Sequence, residues 1–459
     1  MKPLKSNGFV WVMAALAILF ANAAPARPVT ITIDQARGAA RQALLAGDHA
    51  VTIALTRALL ERDPNDFTAL ILLAGAQQAM GQDDPAITNA RHAYWIAPEP
   101  LAKFDAGMIV ARSMYRKERF GAAQFWLRRA GSVAPDPALK NLAIREFQGI
   151  ARTKPVETRF YFGLSPSSNI NNGSDSKVIF INGLPFVLSG DAQALSGIGA
   201  TLGVSARRRF NLGQDSSGFV GLNLVSRNYR LSAASLAISG GKTGKDYAFA
   251  AGELDFGLIR RLPGASDRPA ELTGLLTIGR NYYAADPLTN YARIRLGRDQ
   301  GLAKGQAFSL SATLERQLRL DKAQRSATLI SAGIGRTFAL ANGNSSAVSY
   351  TIRNVFSGSA EIAHVSQSAD FSYRFAKPVF GAHLTLTLGI DVRLYKSPFL
   401  SPARRRDFGA DLTLSILLPK YQVMGFAPNI DLNIGRNFSN VNLYDTTRQS
   451  ISLGVKSVF

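Results

Sequence analysis

The hydrophobic period of this chain changes once, at Lys154-Pro155, and that change constrains the fold more than any other feature. Before it, apolar residues recur at helical spacing, as in Leu70, Leu73 and Ala74. After it, apolar and polar residues alternate as far as Phe459. A proline at such a break stops a helix. The chain is therefore predicted to join an α-helical domain to a second domain built of β-strands.

The segments after the break are apolar along one whole face. Leu310, Leu314 and Leu318 alternate with polar residues, and the stretch from Phe380 to Tyr395 repeats this pattern. A wall that faces lipid requires such a face on nearly every strand, with polar residues on the other side. Fourteen segments show it, the sixth near 291–299, and an even number is usual for bacterial barrels. We predict an antiparallel transmembrane β-barrel of about fourteen strands, with a large soluble β-domain as the alternative.

The first residues have the pattern of an export signal. Lys2 and Lys5 precede an apolar run from Phe9 to Phe20, and Ala21-Asn22-Ala23 is a cleavage pattern of small residues. The alternative is an uncleaved anchor helix. We expect the protein to reach the outer membrane of a Gram-negative bacterium, with its helical domain in the periplasm. The predicted parts are a signal peptide over 1–23, a helical domain over 24–153 and a barrel over 156–459.

The helical domain is predicted to be a short repeat array. Gly47 and Gly81 are 34 residues apart, and so are Pro64 and Pro98. This is the period of the tetratricopeptide repeat (TPR), in which each unit is a pair of helices. Such arrays offer a concave surface to peptides or partner proteins. We expect this domain to hold a client protein in the periplasm. The alternative is a small helical bundle whose only role is tethering.

The composition argues against several classes of function. A formal net charge of +21 would suggest nucleic acid, but the export signal removes the chain from the cytoplasm. The chain has no cysteine, and its four histidines do not stand at metal-binding spacing. No nucleophile elbow or phosphate-binding loop is present. We expect no enzyme activity, cofactor, metal or nucleic-acid partner. The basic surplus is expected to contact outer-membrane lipid and lipopolysaccharide and to line loops, with a dedicated anion-selective pore as the alternative.

Charged residues on the polar faces of predicted strands are expected to point into the lumen. Charges across a lumen either support the wall or set the selectivity of transport. Both roles stay open on the sequence alone. The candidate lumen charges are Glu315, Arg319, Asp370, Arg374, Asp391 and Arg393.

The connection after the first predicted strand, 158–165, is the longest in the barrel, from Pro166 to about Ser196. Asn182-Gly183 lies between two apolar runs, which predicts a small β-hairpin. The hairpin is expected either to fold over the mouth or into the lumen, or to be an ordinary surface loop. The candidate gating residues are Pro166, Asn169, Asn171, Asn182, Gly183 and Gly197.

The chain ends on an alternating segment closed by Phe459. A terminal phenylalanine on the last strand of a barrel resembles the signal that the barrel-assembly machinery recognises. We therefore expect that machinery to be a partner.

Three phrases together resemble a known family: Phe160 to Asn171, the Asn182-Gly183 hairpin, and Ala194 to Gly199. They are similar to the surface lipoprotein assembly modulator (Slam) family. The resemblance implies a TPR domain followed by a fourteen-stranded outer-membrane barrel. It also implies transport of client proteins, either surface lipoproteins or secreted haem-binding proteins, to the cell surface. Two other hypotheses remain, an exopolysaccharide export barrel with a TPR scaffold and a passive porin.

Overall fold

A computed structural model describes residues 31–181, 183–263, 268–302 and 305–459. The predicted signal peptide and Asn182 lie outside the described residues. The chain divides into two compact units between Ala143 and Ile144, within the last helix that precedes the barrel. Each unit is described by itself.

The described residues before the barrel form seven helices, all of them α-helical. None of the helices in the described residues is long and apolar enough to cross a bilayer. In chain order they are α1 (Ile33–Leu45), α2 (His49–Arg62), α3 (Phe67–Ala79), α4 (Asp83–Ile96), α5 (Pro100–Arg116), α6 (Phe120–Val133) and α7 (Pro137–Thr153).

The first six helices form three antiparallel pairs, and the turn within each pair has the same geometry. Gly47 and Gly81 both adopt positive φ, at 81° and 76°. In each turn the next N–H bonds back five residues, as from Asp48 to the Ala43 carbonyl at 2.8 Å. Glu118 takes this place in the third pair, with φ 57°, because α5 is longer than α1 and α3. The alanines at the contacts between helices, among them Ala69 and Ala90, are fully buried. The predicted repeat architecture is confirmed.

The second unit is a closed, antiparallel barrel of fourteen strands. Each strand pairs with its neighbour in the chain, except that β1 pairs with both β4 and β16. A separate hairpin of β2 and β3 lies in the connection between β1 and β4. The strands are β1 (Val156–Ser167), β2 (Val178–Ile181), β3 (Leu184–Val187), β4 (Gly197–Asn211), β5 (Ser216–Leu231), β6 (Phe249–Leu262), β7 (Ala270–Tyr283), β8 (Asp286–Gly301), β9 (Ala307–Arg319), β10 (Ala327–Ala339), β11 (Ser345–Ser357), β12 (His364–Arg374), β13 (His383–Pro398), β14 (Arg404–Leu417), β15 (Phe426–Ser439) and β16 (Thr446–Ser457).

The predicted faces are confirmed strand by strand. Leu310, Leu314 and Leu318 are exposed on the outer wall, whereas Glu315 between them is buried on the inner face. Leu388, Ile390, Val392 and Leu394 of β13 are exposed outside in the same way. An apolar outer wall and a polar interior are the arrangement of outer-membrane barrels.

The start of β8 differs from the prediction, which began that strand near 291. The strand begins at Asp286, because β7 and β8 are joined by Ala284-Ala285 alone. Both alanines have positive φ, at 51° and 70°. Two-residue turns of this kind normally carry Asn or Gly, so the sequence contained no signal for a tight turn here.

Candidate functional site

The barrel has two ends, which we name by what they carry. The terminal end carries Val156 and Ser457, where the barrel begins and finishes. The loop end carries the connections 168–196 and 232–248, the two longest in the barrel. The lumen between these ends is the candidate functional site, because the predicted lumen charges were expected to line it and one hypothesis placed the predicted hairpin over its mouth or inside it.

One sector of the inner wall consists of aromatic rings lying on glycines. Tyr161 lies over Gly203, so that a Cβ added to that glycine would be 1.9 Å from the ring. Phe219 covers Gly257 in the same way, and Tyr291 covers Gly279. Each ring and its glycine are direct partners on adjacent strands. The glycines let the rings lie flat on the wall, so the rings take little space from the lumen.

Next to these rings, β6 to β9 carry a connected set of charges. The Tyr291 hydroxyl donates to the Glu253 carboxylate at 2.7 Å, and the Arg293 guanidinium donates to Glu315. Gln317 also donates to Glu315. These residues line a cavity of about 510 Å³. The predicted lumen charge Glu315 therefore lies inside the barrel with its charge compensated.

Each strand from β12 to β15 has an aspartate on its inner face, namely Asp370, Asp391, Asp411 and Asp431, and β14 has a second one, Asp407. Gly389 lies between two of them, and a Cβ added there would be 3.2 Å from Asp370 and 3.3 Å from Asp411. Asp391 pairs with Arg393 at 2.9 Å. The glycines leave room for the carboxylates, which makes this part of the wall acidic.

The six predicted lumen charges do not come together in one cluster. Asp391 and Arg393 line a cavity of about 400 Å³ near the loop end. Asp370 accepts a hydrogen bond from Ser349 at 3.2 Å. Arg319 pairs with Asp321, just beyond the end of β9, at 2.6 Å. Arg374 ends β12 at the terminal end and is exposed.

A buried charge pair at the loop end was not predicted. Arg405 and Asp407 are 6% and 2% exposed on the inner face of β14. Three hydrogen bonds from Arg405 to Asp407 join them, two at 3.0 Å and one at 2.6 Å, and Arg405 also donates to the Tyr395 hydroxyl at 2.7 Å. The guanidinium carbon is 3.2 Å from the centre of the Tyr444 ring. The run Arg404-Arg405-Arg406-Asp407 was the available signal, but alternation alone does not show which arginine is buried.

The predicted gating residues Asn169 and Asn171 hold the first connection in one shape. Asn169 is buried. Its side-chain amide donates to the Gly173 carbonyl and accepts from the Gly173 N–H, both at 2.9 Å. The Asn171 amide donates to the carbonyls of Asp191 and Gln193 and accepts from the Leu195 N–H. An asparagine has a donor and an acceptor on one side chain, so each can tie two strands of a loop together.

The two long connections pack on each other around a small apolar core. Ile170 and Leu195 of the first connection bury against Leu231 and Tyr247. Burial, with Asp191 nearby, raises the pKa of the Tyr247 phenol to about 12. Gly190 lies so close to the second connection that an added Cβ would be 1.5 Å from the Ile238 carbonyl oxygen. The first connection is therefore a packed structure.

This packing predicts the effect of Gly244→Ala. The added Cβ would lie 1.7 Å from the Tyr229 carbonyl oxygen, which is backbone and has to move. Overpacking of this kind costs about 1–3 kcal/mol, so we expect faster proteolysis in both connections and an intact barrel. Limited proteolysis beside the heat-modifiable shift on gels measures the two effects. Gly274→Ala, whose Cβ would be 3.9 Å from its nearest neighbour, is the control; equal protease resistance in both variants would contradict the packing argument.

The other predicted residues have structural positions. Pro166 is still inside β1, opposite Ile198, because the strand runs two residues further than predicted. Gly197 begins β4, where a Cβ would be 2.4 Å from the Arg230 carbonyl oxygen. Gly183 has φ 85° in the turn between β2 and β3. The Phe459 ring lies edge-on to Phe147, with the centres 5.6 Å apart.

The barrel closes between β1 and β16, and this seam is short. The ladder of β1 with β4 runs from Val156 to Ser167. With β16, the registered pairs lie between Gly163–Gly454 and Ser167–Ser450. Within the described residues, the first half of β1 therefore has no registered partner in β16.

Residues 168–175, which we call the strap, hold the loop end of this seam. The Ser168 N–H donates to the Gln449 carbonyl at 2.9 Å, and the Asn169 amide donates to that of Thr447. Ser174 donates to the Asn442 carbonyl at 2.6 Å. Asp175 accepts from the Thr447 N–H and hydroxyl and pairs with Arg436. The strap thus continues the seam beyond the loop end of the ladder, whereas the half of β1 without registered partners lies toward the terminal end.

No protein-family model and no curated protein matches this chain. Solved structures are similar to parts of it. The type III secretion translocator chaperone SycD of Yersinia enterocolitica is 24% identical, covers 28% of this chain and 96% of its own, and has a TM-score of 0.25. CdiB from Acinetobacter baumannii is 12% identical over 66% of this chain and 60% of its own, with a TM-score of 0.36. An OmpT loop-deletion mutant, an outer-membrane protein of Vibrio cholerae, is 8% identical over 66% of this chain and 99% of its own, with a TM-score of 0.34.

Proposed function

We propose that this protein is an outer-membrane translocator that moves client proteins from the periplasm to the cell surface. The clients would be surface lipoproteins or secreted proteins of the haem-binding type, as in the family that the sequence resembles. The helical unit would lie in the periplasm and the barrel in the outer membrane.

The observation that carries this proposal is the short seam between β1 and β16. In lipid, each backbone polar group without a partner costs several kcal/mol, so barrels normally pair every strand along its length. Here the stretch from Val156 to Phe162 has registered partners in β4 but none in β16. A wall that is joined weakly on one side and strapped at one end is suited to opening.

The size of the lumen supports the same proposal. The cavities along its inner wall have volumes of about 400 to 510 Å³. A folded domain of 100 residues has a radius of gyration of about 13 Å, far larger than such spaces. A client would therefore pass as an extended chain or through a wall that opens, and a lipid attached to it would need a lateral exit.

The helical unit offers a surface for the client. Asp105 and Arg112 lie on α5 and Arg41 lies on α1, close enough for their charges to interact. Burial raises the pKa of the Asp105 carboxyl, while the two arginines oppose that shift. Leu101 and Tyr115 of α5 are exposed. Charged and apolar groups on the first helices of the pairs form the kind of face with which repeat arrays bind extended peptides.

An exopolysaccharide exporter is the second candidate. A basic lumen would favour an anionic polymer. The row of Asp370, Asp391, Asp411 and Asp431 makes part of the inner wall acidic instead, which is unfavourable for such a polymer.

Surface display of a client tests the proposal. A host that lacks this protein would express a candidate lipoprotein with and without it, and protease shaving of intact cells would measure the exposed fraction. We expect display only when the protein is present. The matched control is the variant that lacks the helical repeats, 33–133, which should assemble a barrel but display little client.

Other outcomes would contradict the proposal. Normal display without the protein, together with loss of surface polysaccharide, would favour the exporter. Steady ion conductance and uptake of small solutes, with no effect on any client, would favour a passive porin.

A further inference from the structure

The β2–β3 hairpin has an unusual composition for a surface loop. Its two strands read Val-Ile-Phe-Ile and Leu-Pro-Phe-Val, without a polar side chain. A two-stranded hairpin is at best marginally stable in water. Alternation places Val178, Phe180 and Val187 on one face, and Ile179 and Phe186 on the other. Both faces of the hairpin are therefore apolar.

The strap carries the chain out of the lumen before the hairpin begins. Asn172 accepts a hydrogen bond from Arg448, and both residues line cavities inside the barrel. Three residues later, Asp175 bonds Arg436 and Thr447. These two residues are opposite each other in the β15–β16 ladder.

Arg436 and Thr447 belong to the outer wall. The residues two positions away from Arg436 on its face, Ile434 and Phe438, are 55% and 50% exposed. Arg436 itself lies over the Phe438 ring at 4.8 Å. The chain has therefore crossed the rim by Asp175, and the hairpin is neither a plug in the lumen nor a lid across it.

The hairpin lies beside the turn at 442–444. This contact leaves much of the apolar surface of the hairpin exposed. Ile179 is buried, but Phe180 is 56%, Leu184 63% and Val187 82% exposed. Contiguous apolar surface of this kind marks a contact with a partner or with lipid. The apolar outer wall at this part of the rim includes Phe438, which stacks on Phe408.

We infer that the β2–β3 hairpin is a membrane foot, which inserts its apolar side chains into the outer leaflet beside β14 to β16. Burying apolar surface in lipid is favourable in proportion to its area, and the strap that leads into the hairpin bonds through Asp175 to Arg436 and Thr447 of the lipid-facing wall. Lys177 at the base of the hairpin is exposed. Its ammonium group could pair with the phosphates of an anionic lipid. The foot would anchor the strap, and through it the loop end of the seam.

Fluorescence quenching in vesicles tests this inference without any client. The chain has no cysteine, so Phe180→Cys and Val187→Cys each give one site for an environment-sensitive label. The full protein is reconstituted in phosphatidylcholine–phosphatidylglycerol vesicles that contain lipids with a nitroxide on the acyl chain. Lys322→Cys, in an exposed turn at the same end of the barrel, is the matched control.

We expect the acyl-chain nitroxide to quench the labels at 180 and 187 strongly, with little quenching by aqueous iodide. The label at 322 should show the reverse. Iodide quenching at 180 and 187 equal to that at 322 would overturn the inference and leave the hairpin as a surface for the client. Because no client is present, this result is separate from the outcome of the display assay.

Discussion

Joining β1 to β16 through Ser165→Cys and Ser452→Cys is expected to stop client display reversibly. The two hydroxyl oxygens are 2.9 Å apart across the seam, a separation that a disulfide can span with little movement of the backbone. The protein has no other cysteine, so no competing disulfide can form. If the client leaves through the seam, the oxidised variant should display as little client as cells without the protein. Reduction should restore display.

A second disulfide serves as the control for this experiment. Thr313 and Ser331 are direct partners on β9 and β10, on the inner face and away from the seam. Thr313→Cys with Ser331→Cys should leave display unchanged under oxidising conditions. Full display from the oxidised seam variant would show that the wall does not open, and the client would then have to pass through the lumen alone. Loss of display in both variants would point to a rigidity requirement of the whole barrel.

Asp407→Ala is expected to have the largest effect on the stability of the barrel. Arg405 would keep its buried position beside Tyr395 and Tyr444 but would lose its carboxylate partner. Removing one partner of a buried ion pair typically costs about 3–5 kcal/mol. The midpoint of unfolding in urea, followed by the heat-modifiable shift on gels, should fall accordingly.

Two further variants separate the buried charge from other causes. Asp391→Ala breaks the pair with Arg393, whose side chains are 22% and 40% exposed against 0% and 8% for Asp407 and Arg405. The loss of stability should be smaller, because the contribution of an ion pair falls as its solvent exposure rises. Arg405→Met with Asp407→Leu removes both charges. It should lower the midpoint of unfolding in urea by less than Asp407→Ala alone. Equal losses from Asp391→Ala and Asp407→Ala would refute the argument from burial.

Much of the fold was predictable because its two periods are local. An apolar residue at every second position identified all fourteen strands and their outer faces, as in β9 and β13. The spacing of 34 residues identified the helix pairs, down to the glycines at 47 and 81. The turn at Ala284-Ala285 was missed, because its positive φ angles are imposed by the strands on either side and by the bond from the Ala284 N–H to the Ala248 carbonyl.

The candidate site was predictable only in part. Alternation placed Glu315 and Asp391 on the inner face, but the partners of each depend on register between strands. Glu315 meets Arg293 across β8 and β9, whereas Arg319, four residues on, meets Asp321 instead of any residue across the lumen. The same limitation hid Arg405 and Asp407, whose importance comes from burial by Tyr395 and Tyr444.

The hairpin around Asn182-Gly183 shows most clearly what local sequence could predict and what depended on long-range contacts. Turn chemistry and two apolar runs were enough to predict that β2 and β3 pair. Nothing local could show that the strap crosses the rim at Asp175, since Arg436 and Thr447 come from strands more than 250 residues away. The sequence by itself therefore determined which segments are helices, strands and hairpins, and which face of each strand is apolar. The tertiary structure alone decided how the barrel closes, because pairing between β1 and β16 joins the two ends of the barrel and depends on the register of every strand between them.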